Sequence, residues 1–324
     1  MKRRTLIAAG GASLLAAPSV RAQGGWPAGK AITIVVNFAP GGLTDGIARV
    51  FAQHVSQKLG TQILIDNKPG AGGNIGAALV AKAAPDGHTF LHTVSGTLVQ
   101  NRVLYSKLPF DPDNDFMPVA ATSSGELPVV VHKSVPAKNI KELIEYAKTN
   151  KVSWGTWAAG SSSHMVCAKL NELYGIKMEV VHYRGEGPMW QDMRAGSLQA
   201  AMGSYQALRP LLVDNVIVPI ALPTRQRNPK FPDLKTMSEE GYTHNAFTQF
   251  GWLGLFAPAR TPPDIVKRMS DLWVEAADSE AGKRMYESFG LHEKPMGTAQ
   301  MAADFELLKS RQIPLLQELG VKLE

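Results

Sequence analysis

Ile32-Thr33-Ile34-Val35-Val36-Asn37 runs without a break into Phe38-Ala39-Pro40-Gly41-Gly42-Leu43-Thr44-Asp45. The first six residues are a continuous, largely β-branched run, the pattern of a strand buried on both faces. Past the glycines, Ile47, Val50, Phe51, Val55 and Leu59 recur at helical spacing. The stretch therefore predicts a strand, a glycine loop and a helix. The pattern returns later: Val152-Ser153-Trp154-Gly155-Thr156 leads through Trp157-Ala158-Ala159-Gly160 to Ser161-Ser162-Ser163-His164 and a second helix. Glycine permits a tight turn and close backbone approach. A helix start presents free N–H groups and partial positive charge, a natural seat for an anion. Two such units, one per domain, can grip one carboxylate-bearing ligand between them. Both also read as plain tight turns closed by Ser/Thr caps, and spacing alone does not choose.

Outward from these units, strand and helix signals alternate. Strands are expected at 63–65, 89–93, 119–122, 127–132, 179–182, 199–202, 216–222 and 251–256. Helices are expected at 74–83, 140–149, 161–174, 189–195 and 206–213, with three more beginning near Pro262, Ser279 and Thr298. Repeated βα units predict an α/β protein with mostly parallel sheets covered by helices.

With 324 residues, the chain is long enough for two domains. Its 44% hydrophobic and 19% charged composition excludes disorder. The single cysteine, Cys167, excludes a disulfide framework and any multi-cysteine metal site. Residues 1–22 read as a signal peptide. Lys2, Arg3 and Arg4 precede a short apolar stretch at 5–17, and Val20 and Ala22 frame cleavage before Gln23. Removing this segment takes four basic residues from the formal net charge of +6, and with them the charge argument for nucleic acid or an anionic membrane. Arg3-Arg4 leaves both the Sec and the twin-arginine routes open. The mature protein is expected in the periplasm.

Several motifs point elsewhere and fail. Ser163 and His164 are adjacent at a helix start, so their side chains diverge and cannot act as nucleophile and base. His88 and His92 have a zinc spacing on a helix, but they lie on an expected strand, where about 13 Å would separate them. Gly70-Ala71-Gly72-Gly73-Asn74-Ile75-Gly76 misses the dinucleotide-loop pattern by one position, since Ile75 stands where its third glycine belongs. Its expected role is packing, and Cys167 is expected to be a small buried apolar residue. No enzyme activity, cofactor or metal is expected.

The runs VVNFAPGGLTDGIAR (35–49), DNKPGAGGNIGAALVAKAAPDGHTFL (66–91), LYSKLPFDPDNDFMPVA (104–120), SVPAKNIKELIEYAK (134–148), GSSSHMVCAKL (160–170), VHYRGEGPMWQDMRAG (181–196) and WLGLFAPARTPPDIV (252–266) resemble the periplasmic solute receptors of the tripartite tricarboxylate transporter family, the Bug receptors. The resemblance covers essentially all of 26–322. It implies a two-domain periplasmic-binding-protein-like fold, each domain a mostly parallel sheet flanked by helices, closing on a ligand in the cleft between. The implied division is 1–22 as signal peptide, 26–125 plus 250–324 as first domain, and 126–249 as second. The implied function is capture of a small organic carboxylate, with a membrane permease as partner, or else a sensor protein; nucleic acid is not a partner, and a monomer is expected. Carried onto this chain, the ligand site takes Phe38, Gly41, Gly42, Leu43, Thr44, Asp45 and Ser95 from the first domain. From the second it takes Trp157, Ser161, Ser162, Ser163, His164, Arg184, Gly203 and Ser204. Asp45 can cap its helix, orient a water or take an amino group. Two positions depart from the family: Gly203 stands where an aspartate is frequent, and Trp157 where the residue is usually small. Together they suggest a roomier site, an aromatic or bulky acid, and no amino acid.

Overall fold

The computed structural model describes residues 25–183, 185–224, 227–248, 251–320 and 322; the signal-peptide segment and Arg184 lie outside them. One sheet holds β1 (Ile32–Val36), β2 (Ile63–Asn67), β3 (Thr89–Val94), β4 (Phe116–Ser123) and, from far along the chain, β10 (Trp252–Pro258). The other holds β5 (Val129–His132), β6 (Ser153–Thr156), β7 (Glu179–His182), β8 (Ala200–Met202) and β9 (Ile217–Ala221). Helices α1 (Leu43–Leu59), α2 (Asn74–Ala81), α3 (Ser95–Leu98) and α4 (Asn101–Leu104) precede β4. Helices α5 (Ile140–Thr149), α6 (Ser162–Tyr174), α7 (Glu186–Arg194) and α8 (Tyr205–Val213) belong to the second stretch. Helices α9 (Pro263–Ala276), α10 (Glu280–Phe289) and α11 (Thr298–Glu318) follow β10.

The first sheet has the order β2-β1-β3-β10-β4. β1 sits between two parallel partners, with Ile34 opposite Ile65 and Phe90. This inner position explains its unbroken apolar run. Ile32, Ile34 and Val36 are fully buried against Phe51, Val55 and Trp273 on one face. Val35 points the other way, into a core with Ala77, Val80 and Leu91. Burial of each large α1 side chain on that seam, Ile47 and Phe51 among them, contributes roughly 1.5–3 kcal/mol.

The second sheet has the order β7-β6-β8-β5-β9. In each sheet four of the five strands run the same way, as expected, and one runs against them, so both sheets are mixed. β10 runs antiparallel to β3 and β4, and β5 antiparallel to β8 and β9. These two strands are the ones the chain reaches by crossing from the other sheet. The rule that fixes parallel, right-handed crossovers applies only when a helix joins strands of one sheet. β4 begins earlier than expected because Pro118 is accommodated on the sheet's edge, beside a register shift at Leu255/Phe256.

The two crossings, Ser123 to Val129 and Ala221 to Trp252, touch: the Ser124 amide donates to the Gly251 carbonyl at 3.0 Å. Two further pieces span the sheets. Leu104 of α4 packs into the second sheet's core. The 21-residue α11, about 30 Å long, buries Met301, Phe305 and Leu308 in the first core and Leu315 and Leu316 in the second. At its end Glu318 joins Glu172 in accepting from the buried Lys169 ammonium at 2.8 Å.

Candidate functional site

The first glycine loop is held from below by one carboxylate. Gly41 adopts φ +88°, and Gly42 is the extended N-cap residue of α1, with no side chain to offer the helix amides. Asp45, third residue of the helix, reaches back to accept the Gly41 amide at 3.0 Å. It also accepts from Arg49 Nε at 2.9 Å and from Asn67 Nδ2 at 3.0 Å. Asn67 in turn donates to the Phe38 carbonyl at 3.0 Å. Burial pushes the Asp45 carboxyl up, but the donors from Arg49, Gly41 and Asn67 outweigh it and hold the group below its ordinary range. Asp45 is thus consumed in shaping the loop. The amides of Leu43, Thr44 and Asp45 lie in the first turn, where the helix itself supplies no acceptor. A Cβ added at Gly42 would meet nothing within 4 Å, so the N-cap position beside these amides is uncrowded.

The second loop repeats the device with another side chain. Gly160 adopts φ +70°, and its amide donates to His164 Nδ1 at 3.0 Å, again from the third residue of the helix. Ser161 is the N-cap: its hydroxyl accepts the His164 amide at 3.3 Å and bonds Thr156 Oγ1 at 2.6 Å. Burial, and then the His182 ring 4.8 Å away, bring the His164 pKa down to about 4, so its Nδ1 lone pair is free to accept at neutral pH. Ser163 contributes no side chain to solvent. It is fully buried, accepts from Trp154 Nε1 at 2.9 Å and donates to the Gly155 carbonyl at 3.1 Å. Ser162, partly exposed, keeps its first-turn amide.

Other expected site residues fall at the same strand ends. Ser95, buried, opens α3 directly after β3. Trp157 is half-buried and packs against the second sheet's core, while its carbonyl accepts the Gly185 amide at 2.9 Å. Ser204 is the N-cap of α8. Its amide donates to Glu186 Oε1 at 2.7 Å and its hydroxyl to Glu186 Oε2 at 2.5 Å. Gly203 corrects the sequence reading: a Cβ there would lie 2.5 Å from Trp190 and 2.7 Å from Glu186 Oε1. The position is glycine because Glu186 and Trp190 fill the space, so no room is gained, and the missing carboxylate is replaced by one from α7. Burial raises the Glu186 pKa, against the opposing effect of the Ser204 donors. Arg184 lies outside the described residues.

Sequence spacing missed Arg49, Asn67 and Leu104 as parts of this region, while Glu186 stood out as an acidic residue near the second-domain loop without its Ser204 partner being legible. Arg49 was legible as an i,i+4 partner of Asp45; the others meet it only through the fold. Leu104 presses so closely on the second loop that a Cβ on Gly160 would sit 2.3 Å from it. Also unread was a cluster at the crossings, where ligand atoms of Glu126, His292 and Glu293 come within 4.8 Å of one another. Buried Glu126 there accepts from Asn228 at 2.7 Å and faces His292 Nε2 at 3.4 Å. The Gly70–Gly76 run is a packing element, as read: Gly73 and Gly76 lie against Asn37, leaving no room for a Cβ. His92 is buried on β3 beside Trp273, and Cys167 is buried.

Comparison with known proteins decides the family. The model described as "Tripartite tricarboxylate transporter family receptor" matches residues 47–321. The chain belongs to this receptor family. The receptor is 31% identical to the Rpa4515 protein of R. palustris, solved with adipate, at a TM-score of 0.82 over 91% of this chain and 98% of that one. It is 30% identical to MatC (Rpa3494) from Rhodopseudomonas palustris, solved with bound malate, at a TM-score of 0.76 over 88% and 98%. It is 26% identical to the periplasmic binding protein BugD, at a TM-score of 0.77 over 90% and 98%. The receptor therefore has the two-lobed binding-protein fold of a family whose members bind small carboxylates. No helix among its described residues is long and apolar enough to cross a membrane.

Proposed function

We propose that this receptor captures a small organic carboxylate between its two lobes, in the periplasm, and delivers it to a membrane permease without changing it chemically. The observation that carries the reading is the matched pair of loops. In each, the third residue of a helix accepts the amide of a left-handed glycine, Asp45 from Gly41 and His164 from Gly160. That bond turns the loop aside and leaves the first-turn amides of α1, and those of Ser162 and Ser163 in α6, for a carboxylate, one helix start from each sheet. Residues 26–125 with 250–324 form one lobe in this reading and 126–249 the other, α11 strapping the two, and the receptor works as a monomer. Adipate and malate, bound by relatives, make aliphatic dicarboxylates the first class to test. The half-buried Trp157 beside the second loop supports extending the test to aromatic acids. A thermal-shift screen of mono-, di- and aromatic carboxylates tests the function. A ligand at 100 times its Kd stabilises by about 2.7 kcal/mol, and no shift with any carboxylate would contradict the proposal. Pull-down of a permease, as against a signalling protein, with and without the ligand separates delivery from sensing.

A further inference from the structure

We propose that Glu186 is a specificity-determining residue that closes the start of α8 to the ligand, so that the receptor accepts mono- and dicarboxylates and rejects tricarboxylates. The inference rests on the carboxylate-receptor reading and deepens it. β6 and β8 are parallel neighbours, with Gly155 opposite Ala201. Helices α6 and α8 therefore leave the same end of the sheet from strands about 4.8 Å apart. Two helix starts side by side form two adjoining seats for anions. Only one is open. At α6 the Ser161 hydroxyl caps the His164 amide, and the helix itself supplies no acceptor for the Ser162 and Ser163 amides, whereas at α8 the N-cap residue Ser204 gives both its amide and its hydroxyl to the Glu186 carboxylate. The protein's own carboxylate sits where a ligand's would.

This plug is built in. Gly203 leaves room for the carboxylate that any Cβ would take. Gly185, at φ +109°, turns the chain so that Glu186 begins α7, and its amide anchors that turn to the Trp157 carbonyl of the second loop. The α8 start also faces the first lobe, since the Tyr205 ring lies against Gly290. A dicarboxylate needs two seats, which α1 and α6 provide. A third carboxyl group would have to displace Glu186 or stay buried without donors, which is costly. The block is one of occupancy, because the carboxylate holds the Ser204 donors.

Calorimetric titration of the mature chain with malate, adipate and citrate, on wild type and on Glu186→Ala, Glu186→Asp and Glu186→Gln, tests this. The wild type is expected to bind a dicarboxylate at least about a hundredfold more tightly than citrate. Glu186→Ala frees Ser204 and should raise citrate affinity by about tenfold or more, with dicarboxylate affinity changed less than about threefold. Glu186→Asp withdraws the carboxylate by one methylene and should move citrate the same way, which keeps the test decisive if the alanine variant does not fold. Glu186→Gln keeps an acceptor on the Ser204 amide and should still reject citrate. A citrate-to-dicarboxylate ratio unchanged in Glu186→Ala or Glu186→Asp, or a glutamine variant as open as alanine, would overturn the proposal alone. A wild type that binds citrate as tightly as malate would do the same. A wild type that binds no carboxylate would overturn the receptor reading, and this proposal with it.

Discussion

The His164 imidazole accepts the Gly160 amide at 3.0 Å, and Asp45 accepts the Gly41 amide at 3.0 Å from the same position of its own helix. One loop is held by a neutral ring, the other by a carboxylate, and the geometry is shared. The two helix starts have the same form, and the first is braced by a negative group. That group is already ion-paired with Arg49 and hydrogen-bonded by Asn67.

The histidine makes the second loop sensitive to acid. With its pKa lowered from 6.5 to about 4, His164 binds fewer protons in the folded than in the unfolded state between those values. Its contribution is therefore complete above pH 6.5 and is lost as pH falls toward 4. Urea unfolding across pH 4.5–7.5 should show a stability that declines with acid, and His164→Gln, which keeps an acceptor but does not titrate, should flatten the decline. An equal slope in both proteins would contradict the role.

Removing Asp45 should damage fold and binding together. Asp45→Ala leaves the Gly41 amide, Arg49 and Asn67 without their shared acceptor. A cost of about 1–3 kcal/mol in stability is expected, with weaker carboxylate binding because the loop loses its support. Because the Asp45 pKa is depressed below 3.8, its contribution is present above that value and lost as pH falls through the folded pKa. The variant should therefore differ least from wild type in strong acid. Denaturant titration at pH 3 and 7 measures both effects.

Gly73 should not tolerate alanine. Its φ is +91°, and an added Cβ would fall 2.3 Å from Asn37 Nδ2. Strain of this kind costs about 1–3 kcal/mol, and the Asn37 hydrogen bonds to Gly73, Thr93 and Thr97 would be disturbed as well. Thermal melting of Gly73→Ala checks it; an unchanged midpoint would contradict the packing role.

Trp157→Ala should separate ligand classes if the ring faces the ligand. Binding of an aromatic acid is expected to weaken by about 1 kcal/mol, with much less change for an aliphatic one. Equal effects on both classes would leave the ring a part of the core alone.

Much of the fold was legible because the decisive strands are inner ones. β1 carries an unbroken run of largely β-branched residues, and the glycine loops and caps after β1 and β6 stand in the sequence in order. The antiparallel strands were not legible, since β5 and β10 take their direction from crossings between sheets rather than from their own residues. The site divides in the same way. Gly41, Gly42, Gly160 and Ser161 announced their backbone roles, because a left-handed turn or an N-cap is a local requirement. The Ser163 hydroxyl was not legible as the partner of the buried Trp154. Gly203 misled, because the reason for a glycine there is a carboxylate many residues away. Side-chain direction and long-range replacement are settled by packing, which spacing along the chain does not encode.

The uncrowded N-cap position at Gly42 gives the most direct measurement. Gly42 has φ −85°, and a Cβ added there meets no protein atom within 4 Å, so Gly42→Val should fold, with at most a small loss of stability because valine is a poorer N-cap than glycine. Its isopropyl group would nevertheless cover the first-turn amides of α1. Losing one or two charge-assisted hydrogen bonds costs roughly 1.5–3 kcal/mol each, or about tenfold or more in affinity. Calorimetry of wild type and Gly42→Val with the carboxylate that shifts the wild-type melt is the experiment. Saturable one-to-one binding by the wild type, at least about tenfold weaker in the folded variant, is the expected result. Unchanged affinity in a folded Gly42→Val would contradict the placement of the ligand on this helix start.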